Sequence, residues 1–129
     1  MQVPFIDLKP QYSSLTKSIL QDWEECLTNT AFVGGKKVAD FEEQAKKTLD
    51  VNNFMACANG TDALILALDA CNLPKGAKIA IPNVTFWATY EAVHNLGFQA
   101  VLIDMDPDNL QMDLQELQEA HQKFKIDAV

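Results

Sequence analysis

Apolar residues recur at helical spacing through the first fifty residues and then gather into short continuous runs. From Tyr12 to Leu27 the positions Leu15, Ile19, Leu20, Trp23 and Leu27 fall on one face, which predicts an amphipathic helix. Thr28-Asn29-Thr30 breaks it. Ala31-Phe32-Val33-Gly34-Gly35 reads as a loop with two adjacent glycines. A second helix is predicted from Lys37 to Leu49, with Val38, Phe41, Ala45 and Leu49 on its apolar face. Asp40, Glu42 and Glu43 precede Lys46 and Lys47, so some pairs fall at i,i+4 on a solvated face. Ahead of both helices, Pro4 and Pro10 bracket Phe5-Ile6-Asp7-Leu8, the pattern of an extended arm.

After Asp50 the pattern changes. Phe54 to Ala58 reads as a strand and residues 61–72 as a helix, stopped by the turn Pro74-Lys75-Gly76. Lys78 to Ile81 is a strand ended by Pro82. Residues 85–96 form a helix, with Trp87, Val93 and Leu96 among its apolar positions and Gly97 as its cap. Gln99 to Asp104 is a buried-type strand, Asp106-Pro107-Asp108-Asn109 a turn, and Asp113 to Lys123 a polar helix marked by Leu114, Leu117, Ala120 and His121. Lys125 to Val129 looks like the start of a further strand. Short apolar strands alternating with helices predict an α/β fold with parallel pairing. The chain ends inside that last apolar strand, so the expectation is a fragment of a longer protein, with a final edge strand as the alternative.

Composition narrows the function classes. The 129 residues are 48% hydrophobic, enough for a real core. Net charge is −8, and all ten basic residues are lysines. An acidic chain without a guanidinium fork argues against nucleic acid and against an anionic membrane as partners. No run approaches the ~20 apolar residues of a membrane helix. Met1-Gln2-Val3-Pro4-Phe5 lacks signal-peptide blocks, and Cys26, Cys57 and Cys71 form neither a disulfide framework nor a paired metal motif. A reduced, cytoplasmic setting is the expectation. His94 and His121 have no Cys, Asp or Glu partner at ligand spacing, so they read as structural or solvated, and no metal is expected.

Two stretches carry candidate chemistry. At Asn59-Gly60-Thr61-Asp62 an apolar run gives way to a helix through a glycine. Backbone N–H groups left unpaired there, with the positive end of the helix dipole, suit an anion such as phosphate. A glycine before a helix is often only a turn, and neither a P-loop nor a GxGxxG fingerprint is present. At Pro82-Asn83-Val84-Thr85-Phe86-Trp87-Ala88-Thr89 a second strand gives way to a helix, where ligands of open α/β sheets collect. Phe86 and Trp87 could stack on a flat ring or belong to the core. Adjacent helical side chains diverge by about 100°, so the two can face different ways.

Taken in order, PFIDLKPQY, AFVGGKKVADFEEQ, NGTDALILAL, a Pro-Lys-Gly turn, IAIPNVTFWAT and AVLIDMDPDNLQMD resemble the DegT-type sugar aminotransferases over nearly all of the chain. That family's turn is usually Ser-Gly-Thr, with Asn-Gly-Thr tolerated. The resemblance implies a three-layer type I fold built on pyridoxal 5'-phosphate (PLP), here an N-terminal piece with an incomplete mixed or parallel sheet. It implies an arm and helices over residues 1–50 and the start of the PLP-binding large domain over residues 51–129. It implies that Gly60 lets the backbone approach the phosphate, that Thr61 and Asp62 hold it through backbone N–H groups, and that the Thr61 hydroxyl adds a bond. Phe86 matches the aromatic that stacks on the pyridine ring, with Trp87 beside it. Thr89 and Asn83 are candidates for supporting the cofactor's contacts or meeting substrate. Phe32-Val33-Gly34-Gly35 resembles a loop at the substrate entrance that faces a partner subunit, or is a plain connection.

The resemblance also implies a reaction: an amino group passes, with glutamate as donor, to the keto carbon of a nucleotide-linked deoxysugar in a cytoplasmic homodimer. The lysine that forms a Schiff base with the cofactor and the aspartate that pairs with the pyridine nitrogen are expected beyond residue 129. Lys75 and Lys78 sit in a turn and at a strand start, and Asp104 and Asp106 belong to a turn, so none substitutes. No catalytic residue is therefore assigned within the chain, and alone it is expected to be inactive. In the implied fold the strand near Phe54 lies far from the next two, so the isolated piece is expected to expose strand edges and apolar faces and to be poorly stable. A non-catalytic interaction piece and an unrelated phosphate-binding α/β domain are the competing readings.

Overall fold

The computed structural model describes residues 3–129, which divide into two compact units with the boundary between Ala56 and Cys57. Met1 and Gln2 of the predicted arm lie outside the described residues.

In the first unit, α1 (Lys9–Thr28) and α2 (Lys36–Leu49) form where the apolar periodicity places them. Pro10 enters α1 in its first turn, where its missing N–H has no helical partner to lose. Lys37, at the head of α2, reaches Asp22 and Glu25 of α1 at 2.6 and 2.7 Å. The hydrogen bonds it donates to those two carboxylates hold the Lys37 ammonium well above the usual lysine range. The segment after α2 folds back on it. Phe54 meets Phe41 edge-on at 5.7 Å, and the Ala56 N–H donates to the Glu42 carboxylate at 2.9 Å. The expectation of a strand over Phe54 to Ala58 is corrected here: the segment is irregular, because no segment among the described residues pairs with its backbone. Leu15, Leu20, Trp23 and Leu27, the apolar face of α1, stay exposed.

The second unit holds α3 (Gly60–Ala70), β1 (Lys78–Pro82), α4 (Trp87–Asn95), β2 (Gln99–Ile103) and α5 (Leu114–Phe124). β1 and β2 pair in parallel from Lys78 opposite Gln99 to Pro82 opposite Ile103. On the other edge of β1, Ala128 forms a single parallel bridge with Ile79. The Ala80 N–H donates to the Ala128 carbonyl at 2.9 Å and the Asp127 N–H to the Lys78 carbonyl at 2.8 Å. The predicted last strand is thus reduced to that bridge.

Alternation along β1 divides the core in two. Ile79 and Ile81 pack with Val93 of α4 and with Leu68 of α3, while Ala80 packs with Ile103, Ala120 of α5 and Ile126. Helices therefore lie on both faces of the sheet, α3 and α4 against one and α5 against the other. Punctuation follows local chemistry. Gly76 turns the chain into β1 at φ +78, with the Ala77 N–H donating to the Pro74 carbonyl. Gly97 ends α4 at φ +74, where bonds from Gly97 N–H to His94 and from Phe98 N–H to Val93 form a Schellman motif.

Candidate functional site

The N-terminus of α3 is built by one side chain. Asn59 is extended (φ −164, ψ 176) and caps the helix, its Oδ1 accepting the Asp62 N–H at 2.9 Å. Its Nδ2 donates to the Asp62 carboxylate at 3.3 Å. The Ala63 N–H bonds to the Asn59 carbonyl at 3.1 Å, as the first turn requires. The amides of Gly60 and Thr61 find no acceptor among the described residues. Two backbone donors therefore point from the positive end of an eleven-residue helix. The Asp62 amide, expected together with that of Thr61 to hold a phosphate, donates instead to Asn59 Oδ1.

Gly60 itself is informative. Its φ lies outside the left-handed region, and a Cβ built on it meets nothing within 4 Å. Neither backbone geometry nor packing inside the chain asks for glycine at this helix position, where glycine is less favourable than alanine. Helical Cβ atoms lean toward the N-terminus, so the open space beside Gly60 is where a group bound to the two amides would lie. Donor set and space together fit a phosphate.

The second predicted stretch is laid out differently from its expectation. α4 begins at Trp87, and Phe86 is its N-cap residue in an extended conformation (φ −70, ψ 144). Phe86 is 78% exposed, so its ring is free to meet a ligand and is no part of the core. Trp87 lies over Tyr90 with ring centroids 5.0 Å apart, and Tyr90 stacks on His94 at 5.8 Å and 12°. Spacing of i, i+3 and i+7 puts these three rings on one face of α4. Thr89 shares a hydroxyl hydrogen bond of 3.0 Å with Thr85, and Asn83 donates its N–H to the Ile103 carbonyl at 2.7 Å.

α3 and α4 pack together. Leu64, one turn into α3, and Thr89, early in α4, line the same cavity of about 150 Å³ with Ile79, Ile81 and Pro82 of β1. The fold thus draws the head of α3, the head of α4 and the carboxyl end of β1 toward one region. The DMDPD segment is a self-contained turn: Asp106 accepts the Asp108 and Asn109 N–H groups, Met105 bridges Met112, and the Asp104 N–H donates to Glu116. Lys78 donates from Nζ to the Phe124 carbonyl at 2.8 Å and is structural. The described residues contain no cluster of three or more His, Cys, Asp or Glu able to hold a metal, and no helix long and apolar enough to cross a membrane. Sequence reasoning singled out the Asn59-Gly60-Thr61-Asp62 turn but did not assign Asn59 as the helix cap. Its signal was present, since Asn followed three residues later by an acid is a helix-start pattern.

Comparison with known proteins follows the same geometry. A UDP-N-acetyl-3-dehydro-alpha-D-glucosamine 3-aminotransferase of Acidithiobacillus ferrooxidans is 34% identical over 104 residues, covering 81% of this chain and 28% of that protein. The crystal structure of a DegT DnrJ EryC1 StrS aminotransferase from Brucella abortus superposes with a TM-score of 0.87 at 29% identity, over 98% of this chain and 35% of that one. A GDP-4-keto-6-deoxymannose-3-dehydratase solved with a trapped PLP-glutamate geminal diamine superposes with a TM-score of 0.70 at 27% identity, over 75% of this chain and 27% of that one. The chain spans about a third or less of these relatives. The profile of the DegT/DnrJ/EryC1/StrS aminotransferase family matches residues 13–125, and the chain belongs to that family.

Proposed function

We propose that these 129 residues are the N-terminal part of a PLP-dependent aminotransferase that aminates a nucleotide-linked keto-sugar. The carrying observation is the pair of unsatisfied amides at Gly60 and Thr61 beside a glycine that nothing inside the chain requires. Residues 1–50 supply an arm and helices, and the segment from residue 51 begins the cofactor-binding domain. The Gly60 and Thr61 amides, with the Thr61 hydroxyl, hold the phosphate. Phe86, exposed at the head of α4, covers one face of the pyridine ring. When bound, PLP supplies an electron sink that lets an amino group move between donor and keto-sugar. The part assigned to this chain is to bind and orient: it fixes the cofactor at one end and one face, while the lysine and aspartate that complete the site lie beyond residue 129.

Glutamate is the proposed donor, and the assembly is a cytoplasmic homodimer. Relatives named for UDP- and GDP-linked keto-sugars support the substrate class. The test is a turnover assay on the full-length protein with glutamate and a UDP-linked 3-keto-hexosamine. Release of 2-oxoglutarate only when PLP and the sugar nucleotide are both present is expected. A full-length protein that binds no PLP and forms no amino-sugar would overturn the proposal.

A further inference from the structure

We infer that Glu42 caps one edge of residues 54–56, so that the strand this segment forms in the full-length protein takes a neighbour on its other edge only. The role falls on a residue outside the phosphate site. It rests on the reading of residues 1–129 as the N-terminal part of a longer protein, which supplies the neighbouring strand, and not on the cofactor.

Residues 53–56 alternate in burial: Asn53 and Met55 are exposed, Phe54 and Ala56 half-buried. A period of two is the mark of an extended strand, although no second strand lies beside this one among the described residues. Two adjacent residues of α2 hold the segment. Phe41 meets the Phe54 ring edge-on at 5.7 Å, and Glu42 accepts the Ala56 N–H at 2.9 Å. The second contact is half-buried, and a carboxylate acceptor makes it stronger than a neutral hydrogen bond. In an extended chain the N–H groups of successive residues point to opposite edges. The edge that carries the Ala56 amide therefore faces Glu42, and a carboxylate sits where the carbonyl of a neighbouring strand would have to be. The Met55 amide belongs to the opposite edge and finds no acceptor among the described residues. A charge turned onto a strand edge bars pairing there. Glu42 is thus a positioning residue: it satisfies one edge and leaves the Met55 edge as the side on which a strand can add.

The experiment is hydrogen exchange of the full-length protein, resolved to single amides by fragmentation and mass spectrometry. In the wild type the Ala56 and Met55 amides should both exchange slowly, one through Glu42 and the other through the added strand. Glu42→Ala should speed exchange at Ala56 by about ten- to a hundredfold, the loss of a hydrogen bond to a charged acceptor, and leave Met55 unchanged. Glu42→Gln keeps an acceptor oxygen at the same reach and should restore most of the protection. A merely structural role would instead speed both amides together, and that result overturns the cap. Ala56 exchanging as slowly in Glu42→Ala as in the wild type overturns it too, since a strand would then occupy that edge. If Glu42→Ala fails to fold, the crystal structure of the full-length wild type decides. Glu42 on the Ala56 amide with a strand paired through Met55 upholds the cap; a strand paired through the Ala56 amide overturns it. Fast exchange at Met55 in the wild type sinks the added strand and the inference with it. A full-length protein that binds no PLP but shows the expected exchange pattern sinks the cofactor assignment alone.

Discussion

Gly60→Ala separates the needs of the fold from those of the ligand. Gly60 opens α3 outside the left-handed region, and an added Cβ meets no atom within 4 Å. For the unliganded protein the substitution removes conformational freedom from the unfolded chain and favours the helix, a gain of about 0.4–1 kcal/mol at a compatible site. For the liganded protein the methyl group enters the space in front of the two free amides. A phosphate oxygen pushed out of reach of one N–H loses a charge-assisted hydrogen bond, a loss of about 1.5–3 kcal/mol. Since about 1.4 kcal/mol is tenfold in affinity, PLP should bind roughly ten- to a hundredfold more weakly. The assay is paired: thermal unfolding of the full-length protein freed of cofactor, and a PLP titration followed by absorbance. Unfolding temperature should hold or rise while PLP affinity collapses. A variant that melts earlier yet binds PLP as the wild type does would refute the reasoning, because Gly60 would then serve the fold alone.

Phe86→Ala removes a ring that is 78% exposed, so stability of the unliganded protein should move by less than about 0.5 kcal/mol. PLP affinity should fall by about two- to tenfold, the worth of one aromatic stack, as read in the same titration. Ile103→Ala empties a fully buried position between the sheet and α5 and should destabilise the full-length protein by about 2–5 kcal/mol, measured by urea unfolding. Glu43 is held below its ordinary value of 4.5 by its hydrogen bond to Lys46. A group depressed in the folded state stabilises above its unfolded value and loses that contribution as pH falls through the folded one. The stability difference between wild type and Glu43→Gln should therefore be present at neutral pH and fade below about pH 4.5, a small effect because the pair is exposed. Residues 1–129 expressed alone should melt without cooperativity in circular dichroism, given the exposed apolar face of α1.

The second unit was legible because its signals are local. β1 and β2 stand out as short apolar runs, Gly76 and Gly97 sit where positive φ is required, and the start of α3 is written in Asn59-Gly60-Thr61. The strand expected at Phe54 to Ala58 failed for a non-local reason. An apolar run becomes a strand only with a neighbour, and the described residues offer none, so Phe54 settles against Phe41 instead. The helix expected from residue 85 starts at Trp87, which leaves Phe86 as an exposed cap. The Asn59 cap and the Trp87, Tyr90 and His94 ladder follow recognisable spacings, but spacing alone does not say which of several partners a side chain takes.

A crystal structure of the full-length protein with PLP measures the central claim directly. Phosphate oxygens are expected at about 2.7–3.2 Å from the Gly60 and Thr61 nitrogens. A phosphate held elsewhere in the protein, with those two amides facing only solvent, would contradict it.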